Sequence, residues 1–581
     1  MFLSFSRRSY SILLGLLIAS GLFAFPQKPS KQAAPAEKQT QPAAPKMTPE
    51  YEEYSKIWSG NTLDEKVNMA LAFARKYPNS VEARNLSFVI FYEQKNAEKK
   101  ATLPEIRTAT EKFLNGTADC SAFLRSQYYA DAAKRFDQRD LAPEEAIEFA
   151  KQGIALTNSG EYVAAEKQRH DTYAAHAKER DPKADEDPFS SAEAMEHYKG
   201  FAAGEYAVLG DLYFKSGQLD LAQKAYEDSN NIVTTAEASI GLSRISQKRA
   251  LDYYVDAILT GKVDAAQVAK LHEMYVAAHP GATDADLQTY LDTAYRARYK
   301  NLLPEEPYQA SDPGGRAVVA ELVTGADCEP CTSVDISVDA ALKRYPRNEF
   351  ILLSYDWNAP TEDPLANFSV EDRVKYYDIH GAPTLILDGE IANVGEGTAT
   401  EAPRVYANLE KAVEKDLASS AQAKINLAGN LENGVVHATV TVSGLPADPK
   451  DLRLQLALVS REISYSGRNG LRFHPMVMRN LGRPAGAEKP GFPLNSGNGD
   501  VEYDFNLAKI SADNLKYYDW EVNDVKERTH GMVESSFREK RNEVWPHGLA
   551  LVAFVQDDKT KAILQGTYVD VSDAPSTAAT K

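Results

Sequence analysis

Three patterns of hydrophobic and polar positions follow one another along this 581-residue chain. Between residues 48 and 302, apolar side chains recur every three or four positions, as at Val67 and Ala70, which is the period of amphipathic helices. Residues 305–418 mix short apolar runs with helical periodicity, whereas residues 420–572 alternate apolar and polar side chains as strands do. Because the chain is too long for one hydrophobic core, we predict a multidomain fold that is all-α, then α/β, then all-β.

The amino terminus has the features of an export signal. Arg7-Arg8 precede an apolar stretch from Ile12 to Phe25 that is too short to cross a bilayer. We predict a signal peptide over residues 1–24, with an uncleaved anchor as the alternative, and no membrane span after cleavage. Residues 25–47, rich in Pro, Ala, Lys and Gln, are predicted to be a disordered linker, and residues 573–581 a disordered tail. The mature protein is expected in the periplasm or outside the cell.

One stretch of the helical region has a more specific pattern. It consists of Leu209-Gly210, Tyr213, Gly217, Ala222 and Tyr226. This spacing resembles the tetratricopeptide repeat, in which paired helices stack into a solenoid. The period is irregular elsewhere, so the number of repeats stays open. A solenoid of this kind implies a binding surface for a protein partner, with a spacer or dimerisation platform as the alternative.

The three cysteines give the strongest chemical signal. Cys328-Glu329-Pro330-Cys331 follows an apolar run, and Cys120 stands alone. Cysteines three apart at a helix start lie on one face, within disulfide distance. The helix amino terminus favours a thiolate at Cys328, which would attack, whereas Cys331 would resolve the mixed disulfide. An inert structural disulfide and a metal site are the competing interpretations.

Charge and composition limit the partners. The net charge of −18 and pI of about 5.2 argue against binding to nucleic acid or to an anionic membrane. We expect no bound cofactor and no resident metal. His474, Met476 and Met478 suggest a copper site, since thioethers suit Cu(I). A loop packed by methionine is the simpler interpretation.

The region 305–418 resembles the thioredoxin superfamily, and in particular exported outer-membrane thioredoxin-like proteins. The matching residues are Glu321, Thr324, Gly325, Cys328, Cys331, Asp363-Pro364, Arg373, Tyr376-Tyr377 and Gly381 to Thr384. The resemblance implies a thioredoxin fold over 305–418. Several short strands with turn signals in 420–572 predict an immunoglobulin-like β-sandwich. Related exported proteins carry a similar domain after the thioredoxin fold, which supports 420–572 as one unit.

The resemblance also implies roles for residues outside the cysteine motif. Pro383 is expected to be cis and to face the dithiol, so that Ala382 and Thr384 contact the substrate chain. Glu321 is expected to shuttle a proton to Cys331, although it lies one position earlier than the buried acid of thioredoxin. Two anionic neighbours, Asp327 and Glu329, would raise the pKa of Cys328.

Together these features predict an exported thiol–disulfide oxidoreductase. Its partners would be protein thiols or disulfides, and the helical domain, residues 48–302, would recruit the substrate or another protein. Two other functions remain open at this stage. The chain could be a non-catalytic protein-binding scaffold, or a copper-handling protein that uses the dithiol.

Overall fold

The computed structural model describes residues 49–78, 80, 82–91, 101–139, 141–180, 188–298, 303, 315–446, 449–494 and 499–573. The predicted signal peptide (1–24), the linker (25–47) and the tail after Asp573 lie outside these residues. Within the described ranges, no helix is long and apolar enough to cross a membrane.

The chain divides into two compact units. The first comprises Met1–Phe189 and Val208–Ala225, and the second comprises Ser190–Ala207 and Tyr226–Lys581. The first unit contains α1 (Pro49–Ile57), α2 (Leu63–Lys76), α3 (Leu86–Phe91), α4 (Leu103–Gly116), α5 (Ala122–Gln138), α6 (Pro143–Leu156) and α7 (Ser159–Arg180). Helix α8 (Ser191–Lys215) starts in the second unit and continues into the first, and α9 (Leu219–Ile232) follows.

Local signals explain where these helices begin and end. Thr62 caps α2 in a capping box with Glu65, which satisfies backbone N–H groups that the first turn leaves unpaired. Gly217 lies between α8 and α9 with φ +75°, a conformation that favours glycine. The predicted helical amino-terminal region is therefore confirmed, whereas the repeat architecture stays a prediction.

Within its described residues, the second unit has four more helices before its strands. They are α10 (Ala236–Ile245), α11 (Ala250–Leu259), α12 (Ala265–Ala278) and α13 (Asp284–Arg298). Their buried side chains form one cluster, against which Phe473 from the carboxyl-terminal part also packs. The buried guanidinium of Arg472 donates to Asp292 Oδ1 at 2.7 Å and to Gln288 Oε1 at 2.9 Å. These contacts attach the last helices to the carboxyl-terminal strands.

The strands of residues 315–392 build the part of the sheet that carries the cysteines. They are β1 (Val318–Thr324), β2 (Phe350–Asp356), β3 (Thr384–Leu387) and β4 (Glu390–Ala392). β1 pairs parallel with β2 and antiparallel with β3, which pairs antiparallel with β4. The helices α14 (Thr332–Arg344), α15 (Phe368–Tyr377) and α16 (Ala402–Leu417) lie between or after these strands. All seven residues of β1 and of β2 are buried, as expected for strands covered on both faces.

The carboxyl-terminal part contains nine strands and a long helix within its described residues. They are β5 (Lys424–Glu432), β6 (Val435–Ser443), β7 (Leu452–Ser464), β8 (Phe473–Leu481), β9 (Phe492–Pro493), β10 (Gly499–Asn506), α17 (Leu507–Arg528), β11 (Leu549–Asp557), β12 (Ile563–Asp570) and β13 (Ser572–Asp573). The prediction of an all-β region is wrong at α17. The sequence signal for the start of this helix was Asn506, whose side chain accepts a hydrogen bond from Lys509 N and caps the helix.

These strands join the sheet described above. Among the described residues, the larger sheet has the order β12–β11–β7–β8–β2–β1–β3–β4, with β9 beside β7. The junction is a parallel pairing in which Ser354 lies opposite Val477, and Ser354 Oγ donates to Pro475 O at 2.8 Å. The second sheet, β10–β6–β5–β13, packs its alternate buried residues against β7 and β11. The boundary between 418 and 420 stays a prediction, although strands from both sides share one sheet.

Candidate functional site

The two cysteines lie where β1 leads into α14. A tight turn follows Thr324, and a 3-10 turn from Glu329 to Cys331 runs directly into the helix. The sulfurs of Cys328 and Cys331 are bonded, with 5.3 Å between the Cα atoms. Cys331 is fully buried and Cys328 is 3% exposed. The predicted pairing of these cysteines is confirmed, and Cys328 is the more accessible sulfur.

The turn before Cys328 needs a glycine. A Cβ at Gly325 would lie 2.7 Å from Ala359 O and 3.0 Å from Trp357 O, which is closer than side-chain carbon atoms are found. The loop after β2 therefore packs directly against the backbone of this turn. Trp357 N also donates to Thr324 O at 2.8 Å.

Pro383 follows a cis peptide bond, as predicted. The next residue, Thr384, begins β3 and pairs with Val323 near the end of β1. Its hydroxyl donates to Gly381 O at 2.8 Å, and Ala382 is partly exposed. The substrate contacts expected of Ala382 and Thr384 stay predictions.

Glu321 occupies a different environment from the one expected of a free proton shuttle. It is fully buried on β1 and forms an ion pair with Arg373, whose Nε and Nη2 donate to Oε1 at 2.9 and 2.5 Å. The hydroxyls of Tyr355 and Tyr377 also donate to this carboxylate, at 2.6 and 2.5 Å. These contacts give Glu321 a clear role in holding α15 to the sheet. Its predicted role as a proton shuttle for Cys331 stays a prediction.

Three other carboxyl groups surround the end of β1, and the sequence analysis missed them. Asp335 lies on α14 four residues after Cys331, and Thr324 Oγ1 donates to it at 2.8 Å. Asp356 ends β2 directly opposite Thr324. Asp363 accepts from Ala326 N at 2.7 Å and from Leu365 N at 2.8 Å. The i, i+4 spacing of Cys331 and Asp335 was a visible signal, since such residues share a helix face. The placement of Asp356 and Asp363 depends on the strand register.

These carboxyl groups titrate abnormally because they are shielded from water. Burial raises the pKa of Asp335 to about 8, with a smaller rise from Asp363. Burial and the neighbouring Asp335 raise the pKa of Asp356 to about 7, against the attraction of Arg479. Burial and Asp356 likewise raise the pKa of Asp363. Near pH 7 Asp335 therefore keeps its proton, whereas Asp356 is close to the midpoint of its titration.

A loop between β7 and β8 packs against the cysteine turn. Asn469 N donates to Ala326 O at 3.1 Å, and Arg468 N donates to Asp327 Oδ1 at 2.9 Å. A Cβ at Gly467 would lie 2.2 Å from Ala326 O, so the two backbones are in direct contact. The carboxylate of Asp327 also accepts from Thr361 Oγ1 at 2.9 Å. These partners offset much of the charge that the sequence placed next to Cys328.

The start of α8 lies beside the other anionic neighbour, Glu329. His197 Nε2 is 3.7 Å from Glu329 Oε1, and Thr398 Oγ1 donates to Glu196 Oε2 at 2.6 Å. The loop that carries Thr398 is tied to the cysteine motif, because Gly397 N donates to Pro330 O at 2.9 Å. The sequence gave no sign that an imidazole lies near Glu329, and the predicted effect of Glu329 on the pKa of Cys328 stays a prediction.

The candidate copper ligands lie in the protein core. Met476 and Met478 are 3% and 0% exposed and belong to the main hydrophobic cluster. His474 Nε2 is 2.9 Å from Tyr465 O, and burial lowers the pKa of this imidazole to about 4. Within the described part of the chain, no group of three or more His, Cys, Asp or Glu residues could hold a metal ion.

Comparison with known proteins adds little to this geometry. No protein-family model matches the chain, and no curated protein matches it. Among solved structures, HBP35 of Porphyromonas gingivalis is similar at 14% identity and a TM-score of 0.33, over 45% of this chain and 78% of that chain. A similarity at this level carries no argument, so the function is argued from the site itself.

Proposed function

We propose that this protein is an exported thiol–disulfide oxidoreductase with a thioredoxin-like redox region. One observation carries the proposal: Cys328 and Cys331 are paired at the start of a helix, with Cys331 fully buried and Cys328 3% exposed. The order β2–β1–β3–β4, with parallel β1 and β2, supports the thioredoxin-like assignment.

The chemistry is a two-step exchange of disulfide bonds. The Cys328 thiolate attacks one sulfur of a substrate disulfide and releases a substrate thiolate. The Cys331 thiol then gives up its proton and attacks the Cys328 sulfur of the mixed disulfide. This step releases the second substrate thiolate and forms the Cys328–Cys331 disulfide, so two electrons pass from the protein to the substrate. The reverse sequence oxidises a substrate dithiol.

The remaining regions have supporting roles in this proposal. The repeat-like helices, including the Gly217 turn, offer a surface for a protein substrate or partner. In this proposal, the four-stranded sheet and the strands β7, β8, β11 and β12 form the predicted β-sandwich, and α17 is an addition to it. Residues 1–24 direct the chain to the periplasm or the cell exterior.

Alkylation kinetics provide a first test. In the reduced protein, iodoacetamide should modify Cys328 faster than Cys331 by about tenfold or more, because Cys328 keeps a small exposed area, Cys331 has none, and a helix start favours the Cys328 thiolate. Mass spectrometry of peptides from timed, acid-quenched samples measures both rates. A Cys120→Ser background removes the third thiol. Equal rates for Cys328 and Cys331 would contradict the assigned roles.

Trapping of mixed disulfides tests the activity on proteins. The Cys331→Ser variant should accumulate covalent complexes with protein substrates in cells, since the resolving thiol is gone. Non-reducing gels followed by reduction and mass spectrometry detect these complexes. The matched control is Cys328→Ser, which lacks the attacking sulfur and should trap none. If the two variants give the same pattern, the protein does not exchange disulfides with proteins.

A further inference from the structure

Asp335 stands out because it lies one helical turn after the buried Cys331 and has no cationic partner among the described residues. Cys331 and Asp335 are four residues apart, and the backbone of Cys331 is already helical, with φ −72° and ψ −24°. Residues at this spacing lie on one face with about 5–6 Å between Cβ atoms. The residue as a whole is partly exposed, whereas burial dominates the environment of its carboxyl group and raises its pKa.

Two residues hold this carboxyl group from opposite sides. Thr324 Oγ1 donates to Asp335 Oδ1 at 2.8 Å, and Asn469 Nδ2 lies 3.5 Å from Oδ2. Asn469 also contacts the cysteine turn at Ala326 and accepts from Thr332 Oγ1 at 3.5 Å through its backbone oxygen. The β7–β8 loop therefore links the carboxyl group to the turn that carries Cys328.

The buried carboxyl group of Asp356 is an independent indication that protons are bound at this site. Asp356 is 1% exposed, and neither of its oxygens accepts a hydrogen bond from another described residue. Leaving an ionised carboxylate buried without such partners is costly. Asp356 lies opposite Thr324 on the neighbouring strand, and Thr324 donates to Asp335. Thr324 therefore links the two acidic residues, of which one lies on α14 and the other on β2.

We propose that Asp335 exchanges a proton with Cys331, and that Thr324 and Asn469 are the positioning residues that hold it for this step. The proposal rests on the redox function proposed above and adds a residue to it. It also gives the β7–β8 loop, which lies far along the chain, a part in the redox site. Asp335 would then perform the role that the sequence assigned to Glu321.

The step balances when the protein disulfide is reduced. A thiolate attacks the Cys328 sulfur and forms a new S–S bond, while the Cys328–Cys331 bond breaks. The departing Cys331 sulfur takes the electron pair and receives the proton of the Asp335 carboxylic acid. The carboxylate then recovers a proton from water. In the opposite direction, the carboxylate accepts the proton of the Cys331 thiol as its sulfur attacks.

Burial, with a smaller contribution from Asp363, makes a neutral carboxylic acid available at Asp335 near pH 7. Asp363 and Asp356 face it from the loop after β2 and from β2 itself. Asp356 in turn faces Arg479 and, at 4.0 Å, His474 Nδ1 from β8. His474 is uncharged there, since burial lowers its pKa to about 4. The acid form of Asp335 is therefore lost only as the pH passes above about 8.

The test is the rate at which dithiothreitol reduces the Cys328–Cys331 disulfide in the full chain. Acid quenching, alkylation and mass spectrometry measure this rate from about pH 6 to pH 10 in a Cys120→Ser background. Asp335→Asn should slow reduction by about tenfold or more near pH 7, which is a modest share of what general acid catalysis provides. The difference should shrink toward none above about pH 9, where the native carboxyl group has also lost its proton.

Three further variants make the outcome decisive. Asn469→Ala should slow the reduction by a smaller factor than Asp335→Asn does, with the same dependence on pH, because it only loosens the position of Asp335. Asp339→Asn, one turn further along α14 and paired with Lys343 on the surface, should behave as wild type. An Asp335→Asn variant that equals wild type at every pH overturns the proposal. The proposal is also overturned if Asp356→Asn slows the reduction of the disulfide more than Asp335→Asn does.

This experiment is separate from the test of the proposed function. The reaction with dithiothreitol measures the reactivity of the Cys328–Cys331 disulfide without any protein substrate. Failure of the trapping experiment with a normal Asp335 effect would remove the activity on proteins and keep the proton-exchange role. Successful trapping without an Asp335 effect would remove the proton-exchange role and keep the activity on proteins. Circular dichroism of each variant, at the pH of the assay, identifies any loss of fold.

Discussion

Replacing Glu321 with glutamine is expected to lower the free energy of unfolding by about 3–5 kcal/mol. The substitution keeps the shape of the side chain and leaves the Arg373 guanidinium buried without its counter-charge. Both side chains are at most 1% exposed, so water cannot replace the lost carboxylate. Burial and the Glu321 charge raise the pKa of Tyr355, so its phenol stays protonated. It therefore donates a hydrogen bond to the carboxylate and cannot supply the negative charge that the variant loses.

Urea unfolding of the oxidised protein, followed by tyrosine and tryptophan fluorescence, measures this change. The matched control is Asp339→Asn, which removes one partner of the exposed ion pair with Lys343 and should cost less than about 1 kcal/mol. The double variant Glu321→Leu with Arg373→Met should recover much of the loss, since no buried charge remains. A Glu321→Gln variant as stable as the control would show that Gln556 Oε1, 3.1 Å from Arg373 Nη2, suffices.

Replacing Asp356 with asparagine is expected to make stability less dependent on pH. The folded pKa of Asp356 is raised from 3.8 to about 7 by burial and by Asp335. Between these values the folded protein keeps a proton that the unfolded chain has lost. The stability present below the unfolded pKa is therefore lost as the pH rises toward about 7, by about 1.4 kcal/mol per pH unit.

Asparagine carries no charge at either pH, so this loss disappears. Relative to wild type, Asp356→Asn should gain about 2–3 kcal/mol between about pH 4.5 and pH 8.5. The measurement is the urea midpoint and slope at both pH values, with Asp339→Asn as the control that should track wild type. Parallel pH dependence of wild type and Asp356→Asn would mean that Asp356 is ionised in the folded protein across this range.

Local patterns predicted the elements around the dithiol well. The helix that starts at the cysteine motif appears where the sequence predicted it, and apolar runs of residues 305–418 form the buried strands β1 and β2. These elements depend on short-range signals, namely apolar runs, helical spacing and a proline that cannot donate a hydrogen bond. Helix α17 was missed because the strand periodicity on both sides of it was taken to continue.

The environment of each charged residue could not be predicted in the same way. Glu321 and Asp335 are both acidic residues close to the cysteine motif, and the sequence alone favoured Glu321. Strand β1 carries Glu321 to Arg373, whereas one turn of α14 carries Asp335 to the face of Cys331. The choice depends on which side chains meet across elements, and that depends on packing and register.

The sequence by itself determined that this protein has a helical half and a strand-rich half, with a dithiol at a helix start. Those features follow from periodicity and from the spacing of two cysteines, which are local properties of the chain. Only the tertiary structure decided that β8 lies beside β2 and that Asn469 reaches the cysteine turn at Ala326. Such contacts join residues more than a hundred positions apart, and they form only when the apolar faces of both regions are buried together in one core.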